Sequence, residues 1–148
     1  MPNVTPFLWY ATPLDEVVAY YREIFPDFQE ISTTPQSASF QICGQRFQAL
    51  NGGPRHRFNE AVSLVIECEN QGEVDHYWSR LTADGGSESM CGWLKDRYGL
   101  SWQVIPKALV RYLADPDRER AERVTQAMLK MRKIEVAELD RAAGEVPE

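Results

Sequence analysis

The chain has 148 residues, 43% of them hydrophobic and 26% charged, with 16 Lys and Arg against 22 Asp and Glu for a net charge of -6. That length closes one real core without disulfides or a structural metal. The acidic balance argues against a nucleic-acid partner, because Lys and Arg supply most of the affinity for phosphates, and the one basic cluster, Arg55-His56-Arg57, is too short to reverse it. Apolar runs such as Leu64-Val65-Ile66 fall far below the roughly 18 residues that cross a bilayer, and no charged-then-apolar leader is read, so neither membrane nor secretion is expected. Cys43, Cys68 and Cys91, widely spaced and without a CxxC pair, fit a reducing, cytoplasmic setting.

Thr5 to Tyr10 reads as a strand, Ala11-Thr12-Pro13 as a turn, and a helix opens near Leu14-Asp15 and runs to Phe25, where Pro26 stops it. Val17, Tyr20, Tyr21 and Ile24 recur at helical spacing and form one apolar stripe, with Asp15, Arg22 and Glu23 on the other side. Three short strands follow, around Phe28 to Ser32, Ser37 to Cys43 and Arg46 to Leu50, with Gly44-Gln45 as a hairpin link and Asn51-Gly52-Gly53-Pro54 closing the unit. The order then restarts. Ala61 to Cys68 reads as a strand and Glu73 to Leu81 as a helix with Val74, Tyr77, Trp78 and Leu81 on one stripe. Asp84-Gly85-Gly86 is a stop, and further short strands run from Glu88 to Ile105.

Two segment pairs overlay. Glu16-Val17-Val18-Ala19-Tyr20-Tyr21 matches Glu73-Val74-Asp75-His76-Tyr77-Trp78 at an offset of 57, and Gly44-Gln45-Arg46-Phe47-Gln48-Ala49-Leu50 matches Gly99-Leu100-Ser101-Trp102-Gln103-Val104-Ile105 at an offset of 55. The expected fold is therefore α+β in one domain, residues 1–148. Two tandem βαβββ modules, about 1–55 and 59–107, form a curved mixed sheet with helices outside and a concave cup inside. A helical tail follows at about 115–144. Asp115-Pro116 looks like its cap and first helical position, Val124, Ala127, Met128 and Met131 make a stripe, and a second piece through Val136, Leu139 and Ala143 ends near Gly144.

The duplication resembles the PhnB-like branch of the vicinal oxygen chelate superfamily, which holds glyoxalase I, extradiol dioxygenases and bleomycin-resistance proteins. So do the stretches Thr5-Pro6-Phe7-Leu8-Trp9, Glu23-Ile24-Phe25-Pro26, Phe47-Gln48-Ala49-Leu50-Asn51-Gly52-Gly53 and Cys91-Gly92-Trp93-Leu94-Lys95-Asp96, and the tail Gln126-Ala127-Met128-Leu129-Lys130-Met131. Asp96-x-x-Gly99-x-x-Trp102-Gln103 is the most telling piece. Relatives in this branch carry the label 3-demethylubiquinone-9 3-methyltransferase, yet the Gly-rich strand-to-helix turn that holds an adenosyl cofactor in the usual methyltransferase fold is missing here. The resemblance implies a divalent metal held in the cup by four side chains, at positions that fall near Pro6, Gln48, Ser63 and Gln103. Two neutral amides, a hydroxyl and a proline offer neither charge nor basicity to such an ion, so no metal and no cofactor is expected. Family precedent also implies a homodimer.

Strand parity puts Gln48 and Leu50 opposite Phe47 and Ala49, and Ser63, Val65 and Glu67 opposite Val62, Leu64 and Ile66. It assigns Trp9 and Trp102 to the helix-facing core. Glu67 is the carboxylate that parity places on the cup side of a central strand, where burial would make it a general base. Cys91 reads as a small buried thiol. Asp96-Arg97-Tyr98-Gly99 reads as a turn in which Asp bonds its own backbone and Gly takes a positive φ. The ligand site is expected at Gln48, Ser63 and Gln103, with Leu50, Asn51 and Trp93 beside it. Paired amides offer donors and acceptors without charge, which suits a small neutral polar or partly apolar ligand. The expected function is metal-independent binding of such a molecule. The alternatives are an isomerase, lyase or dioxygenase working through a metal or Glu67, or, by family label, a methyltransferase.

Overall fold

A computed structural model describes residues 1–145. The fold is α+β, and it divides into two compact units, Met1–Phe58 and Asn59 onward. The first holds β1 (Phe7–Tyr10), α1 (Leu14–Ile24), β2 (Phe28–Thr33), β3 (Ser37–Ile42) and β4 (Gln45–Asn51). The second repeats that order with β5 (Ser63–Cys68), α2 (Gln71–Thr82), β6 (Ser87–Glu88), β7 (Trp93–Lys95) and β8 (Ser101–Pro106), then adds α3 (Lys107–Leu113), α4 (Arg118–Met128) and α5 (Val136–Ala143). Each unit builds one four-stranded mixed sheet, ordered β1-β4-β3-β2 and β5-β8-β7-β6. In both, the first strand pairs in parallel with the last. The duplication read from two short overlays is thus present as topology.

In the first unit one sheet face packs on α1. Leu14, Val17, Val18 and Tyr21 of the helix are buried with Phe40, Phe47 and Ala49 of the sheet. Phe28, Phe40 and Phe47 stack in a row with centroids 5.4 and 5.8 Å apart. The buried Tyr10 and Tyr21 hydroxyls meet at 2.9 Å, so each aromatic end keeps a polar partner inside the core. The β3–β4 hairpin turns through Cys43 and Gly44, at φ 50 and 81. Two successive positive φ values match the twist of the strands they join. The turn therefore sits one residue before the expected Gly44-Gln45 link.

In the second unit α2 begins at Gln71, two residues before the expected Glu73, because Asn70 caps it. The Asn70 side chain accepts from the Glu73 N–H at 3.0 Å, and Glu73 Oε1 accepts from the Glu69 N–H at 2.7 Å. The expected tail needs two corrections. A helix, α3, follows directly on β8, where none is expected. The cap of α4 is Asp117, whose side chain accepts from the Arg120 N–H at 3.1 Å, while Asp115 stands two residues earlier in the preceding turn. Pro106 ends β8 and, lacking an N–H, opens α3 with no cost in hydrogen bonds. The three helices close a small core of Ile105, Leu109, Val124, Ile134, Leu139 and Ala143. Gln71 ties them to α2, donating to the Ile134 carbonyl at 3.0 Å and accepting from the Val136 N–H at 2.7 Å. No helix among the described residues is long and apolar enough to cross a membrane.

Candidate functional site

Each sheet has one face under its helix and one face turned away, and Gln48, Ser63 and Gln103 lie on the latter. In the first unit Phe47 and Ala49 are 4% and 1% exposed on the helix side, so alternation sends Arg46, Gln48 and Leu50 to the other. Gln48 stands in register with Phe7 on one side and Ser39 on the other. Arg46 Nη2 donates to Ser39 Oγ at 3.4 Å across the same strand pair.

That register corrects the parity of β1. Phe7 shares the face of Gln48, and Trp9 opposite Leu50 shares it too, whereas Leu8 and Tyr10 turn toward α1. Trp9 is not part of the helix-facing core. Its indole N–H donates to the Gly53 carbonyl at 2.9 Å, the His56 ring meets it edge-on at 4.8 Å, and a Cβ at Gly52 would lie 2.2 Å from its ring. The loop after β4 is glycine because an indole lies against its backbone. Asn51 shares the Tyr10 side, and its N–H donates to the Gln36 carbonyl at 2.9 Å. Of the expected ligand residues of this unit, Gln48 and Leu50 come together and Asn51 does not join them.

In the second unit Ser63, Val65 and Glu67 of β5 stand opposite Ser101, Gln103 and Ile105 of β8, and Trp93 and Lys95 of β7 stand opposite Gln103 and Ser101. Gln103 Nε2 donates to Ser63 Oγ at 3.0 Å, which leaves Gln103 Oε1 to accept and the Ser63 hydroxyl hydrogen to donate. Glu67, at the strand end, is exposed and lacks the burial a general base at this position would need. Trp93, Lys95 and Ser101, with Glu60, Ser89 and Leu94, line a cleft of about 210 Å³. Lys95 Nζ lies 3.1 Å from Glu60 Oε2. The Glu60 carboxyl is held below its ordinary range by its own backbone N–H and then by Lys95. Ser101 is 1% exposed and its hydroxyl has no hydrogen-bond partner. Lys95, Ser101 and Arg46 were missing from the sequence-predicted site. Arg46 and Ser101 coincide in the repeat overlay, and that coincidence was the signal available.

Behind this face, Asp96 is 1% exposed and accepts from the Tyr98 and Leu100 N–H groups at 2.9 and 3.2 Å and from the Trp102 indole at 2.9 Å, with Gly99 at φ 85. It shapes the turn and holds Trp102 in the core. Cys91 is half-buried at φ 61, and its N–H donates to the Met131 carbonyl, so the buried thiol expected there is found instead at Cys68. Burial, and secondarily the charge of Glu73, push the Cys68 thiol up to about 12. A larger groove of about 560 Å³ lies between α3, α5 and the start of α2, lined by Arg111, Tyr112, Glu135 and Asp140 among others. Among the described residues no three His, Cys, Asp or Glu side chains are placed to hold a metal ion.

A family model described as 3-demethylubiquinone-9 3-methyltransferase matches residues 2–105. A solved PhnB protein from Bacillus cereus, carrying the same description, is 26% identical with a TM-score of 0.64, the match covering 71% of this chain and 99% of that one. A solved protein from Pseudomonas aeruginosa is 17% identical with a TM-score of 0.57, over 72% and 98% of the two chains. The fosfomycin resistance protein FosX from Listeria monocytogenes, complexed with Mn(II) and sulfate, is 16% identical with a TM-score of 0.53, over 72% and 90%. These last two likenesses show the fold. No curated protein matches the chain. The family match stops where α3 begins.

Proposed function

The chain belongs to the 3-demethylubiquinone-9 3-methyltransferase family, a PhnB-like branch of the vicinal oxygen chelate fold, and from that premise we propose that it binds a small molecule without a metal. The observation that carries this reading is the placement of two neutral amides. Gln48 and Gln103 hold the same ladder position in the two units, each on the face away from its helix. Each stands beside an exposed apolar side chain, Phe7 at 56% and Val65 at 60%. An amide beside an apolar surface fits a partly apolar body carrying uncharged polar groups.

The family resemblance implies a divalent metal at four positions that fall here near Pro6, Gln48, Ser63 and Gln103, and the residues do not fit it. Zinc, manganese and iron are held by imidazole, thiolate and carboxylate donors, and neutral amide and hydroxyl oxygens are poor substitutes. The Gln103–Ser63 hydrogen bond spends one amide group and one hydroxyl lone pair on each other. Methyl transfer, which the family description names, is the second reading. The turn between β1 and α1, Ala11-Thr12-Pro13, contains no glycine to let an adenosyl cofactor lie close against the backbone, so stoichiometric binding of S-adenosylmethionine would be needed to favour it. We also propose that the protein is a homodimer, as the resemblance implies, and cytoplasmic, as its widely spaced cysteines, without a CxxC pair, suggest.

A thermal-shift screen of amphipathic metabolites on the full chain tests the binding reading. Hits are expected to vanish when Gln48→Ala is combined with Gln103→Ala, while the double variant's own Tm stays within about 5 °C of wild type, because both side chains are only half-buried. Undiminished binding in that variant moves the site elsewhere. Metal analysis after exposure to Zn, Ni, Mn and Fe should find no stoichiometric ion, and one tightly held equivalent overturns the metal-free part.

A further inference from the structure

The second unit has an unspent set of donors. Ser101 is buried, yet its hydroxyl has no partner, a condition that native proteins keep rare. Directly across the β7–β8 pair stands Lys95 on the same face, and both line the cleft of about 210 Å³ with Ser89 and Trp93. The ammonium of Lys95 reaches off the sheet to Glu60, and both partners are open to solvent, at 44% and 70% of their side-chain areas. Exposed pairs of this kind are held weakly. Glu60 is thus a carboxylate already resting on Lys95 but easily displaced from it.

We propose that this cleft receives the terminal oxyanion of the ligand, a carboxylate or a phosphate, which replaces the Glu60 carboxylate on Lys95 and takes the Ser101 hydroxyl as a second donor. The inference rests on the binding reading above and adds a charged end to a body that lies along Trp93 toward the Gln103–Ser63 pair, two ladder positions joined by register. The first unit offers the contrast that makes the set specific. There the cation of the equivalent strand pair, Arg46, already bonds the hydroxyl across from it on its own sheet, Ser39, so that hydroxyl is already spent.

The test is a backbone-amide NMR titration of the full chain with benzoate and, separately, with inorganic phosphate. Saturable shifts at Trp93 to Lys95 and at Ser101 are expected. Lys95→Gln should weaken binding at least about tenfold, and Ser101→Ala by about threefold or more, while Glu60→Gln, which removes the competing carboxylate, should tighten it severalfold. Ser101→Ala should leave Tm unchanged or raised, since it deletes a hydroxyl with nothing to bond; a lowered Tm would mean the hydroxyl is spent on the fold and would count against the proposal. Saturation by benzoate alone assigns a carboxylate end and by phosphate alone a phosphate end. Absence of saturable shifts with both anions, or equal binding in Lys95→Gln, overturns the subsite. Gln103→Ala separates the two readings: anion binding should survive it and fail in Lys95→Gln, whereas the hits of the amphipathic screen should weaken in Gln103→Ala. Anion binding lost in Gln103→Ala and kept in Lys95→Gln overturns the subsite, and amphipathic hits undiminished in Gln103→Ala count against the amide site alone.

Discussion

The two units share one topology and close the same hairpin differently. In the first, Cys43 and Gly44 turn β3 into β4 in two residues, using positive φ at both. In the second, the link from β7 to β8 runs Asp96 to Leu100, and a buried carboxylate with three hydrogen bonds supplies what backbone geometry supplies in the first. The open faces differ in the same spirit. Arg46 closes on Ser39 within its own sheet, whereas Lys95 leaves Ser101 and pairs outward with Glu60. A duplicated scaffold has kept the ladder positions of its two amides while letting the charges beside them move to opposite strands. The lesson is that fold and site obey separate constraints: packing against the helix fixes the inward residues, and the outward residues are free to specialise.

The comparison breaks most sharply at Asp96. Replacing it with Ala strands two backbone N–H groups and the Trp102 indole inside the core, and bonds to a charged acceptor are individually strong. Asp96→Ala should cost about 3 kcal/mol and lower Tm by roughly 6–12 °C. Cys43→Ala, at the matching turn of the first unit, should cost less, because there the backbone conformation of Cys43 and Gly44, at φ 50 and 81, makes the turn. Equal losses in calorimetry would show that the two hairpins are held in the same way after all.

A smaller effect is expected at Gly52. Its missing Cβ is the space occupied by the Trp9 ring, so Gly52→Ala forces the indole off the loop and away from the Gly53 carbonyl. Overpacking of this kind costs about 2 kcal/mol. Trp9 emission should shift to the red in step with the loss of stability, and an unshifted spectrum would mean that the ring does not rest on Gly52.

How much of this was legible in the sequence depends on which residues are asked. The order of elements, the duplication and the faces of Gln48 and Gln103 could be read because apolar and polar residues alternate cleanly in β4 and β8. Strand β1 could not be read, since Phe7-Leu8-Trp9-Tyr10 is apolar or aromatic throughout and carries no alternation to set its parity; only pairing with β4 placed Trp9 on the outward face. The short helix α3 was hidden for a related reason. It follows Pro106 directly, and seven residues give too few turns for a stripe to stand out. Lys95 and Ser101 were each visible as ordinary residues, and their meaning came from the ladder that sets them opposite one another. The backbone bonds of the Asp96 turn and the positive φ of Gly99 were legible because that chemistry is local, whereas the bond from the Trp102 indole was not.

The smallest expected effect concerns the helices that only the second unit carries. Tyr112 of α3 donates to Asp140 Oδ1 of α5 at 2.5 Å, and burial followed by that carboxylate pushes its hydroxyl up to about 12. A group whose value is raised on folding lends its full stability below the unfolded value, near 10 for tyrosine, and loses it as pH climbs through the folded value. The α3–α5 contact should therefore be intact at neutral pH and weaken between about pH 10 and 12. Tyr112→Phe should cost about 1 kcal/mol at pH 7, and the gap to wild type should close across that alkaline window in denaturant titrations. A gap that persists unchanged above pH 12 would show that the hydroxyl contributes through packing and not through its bond to Asp140.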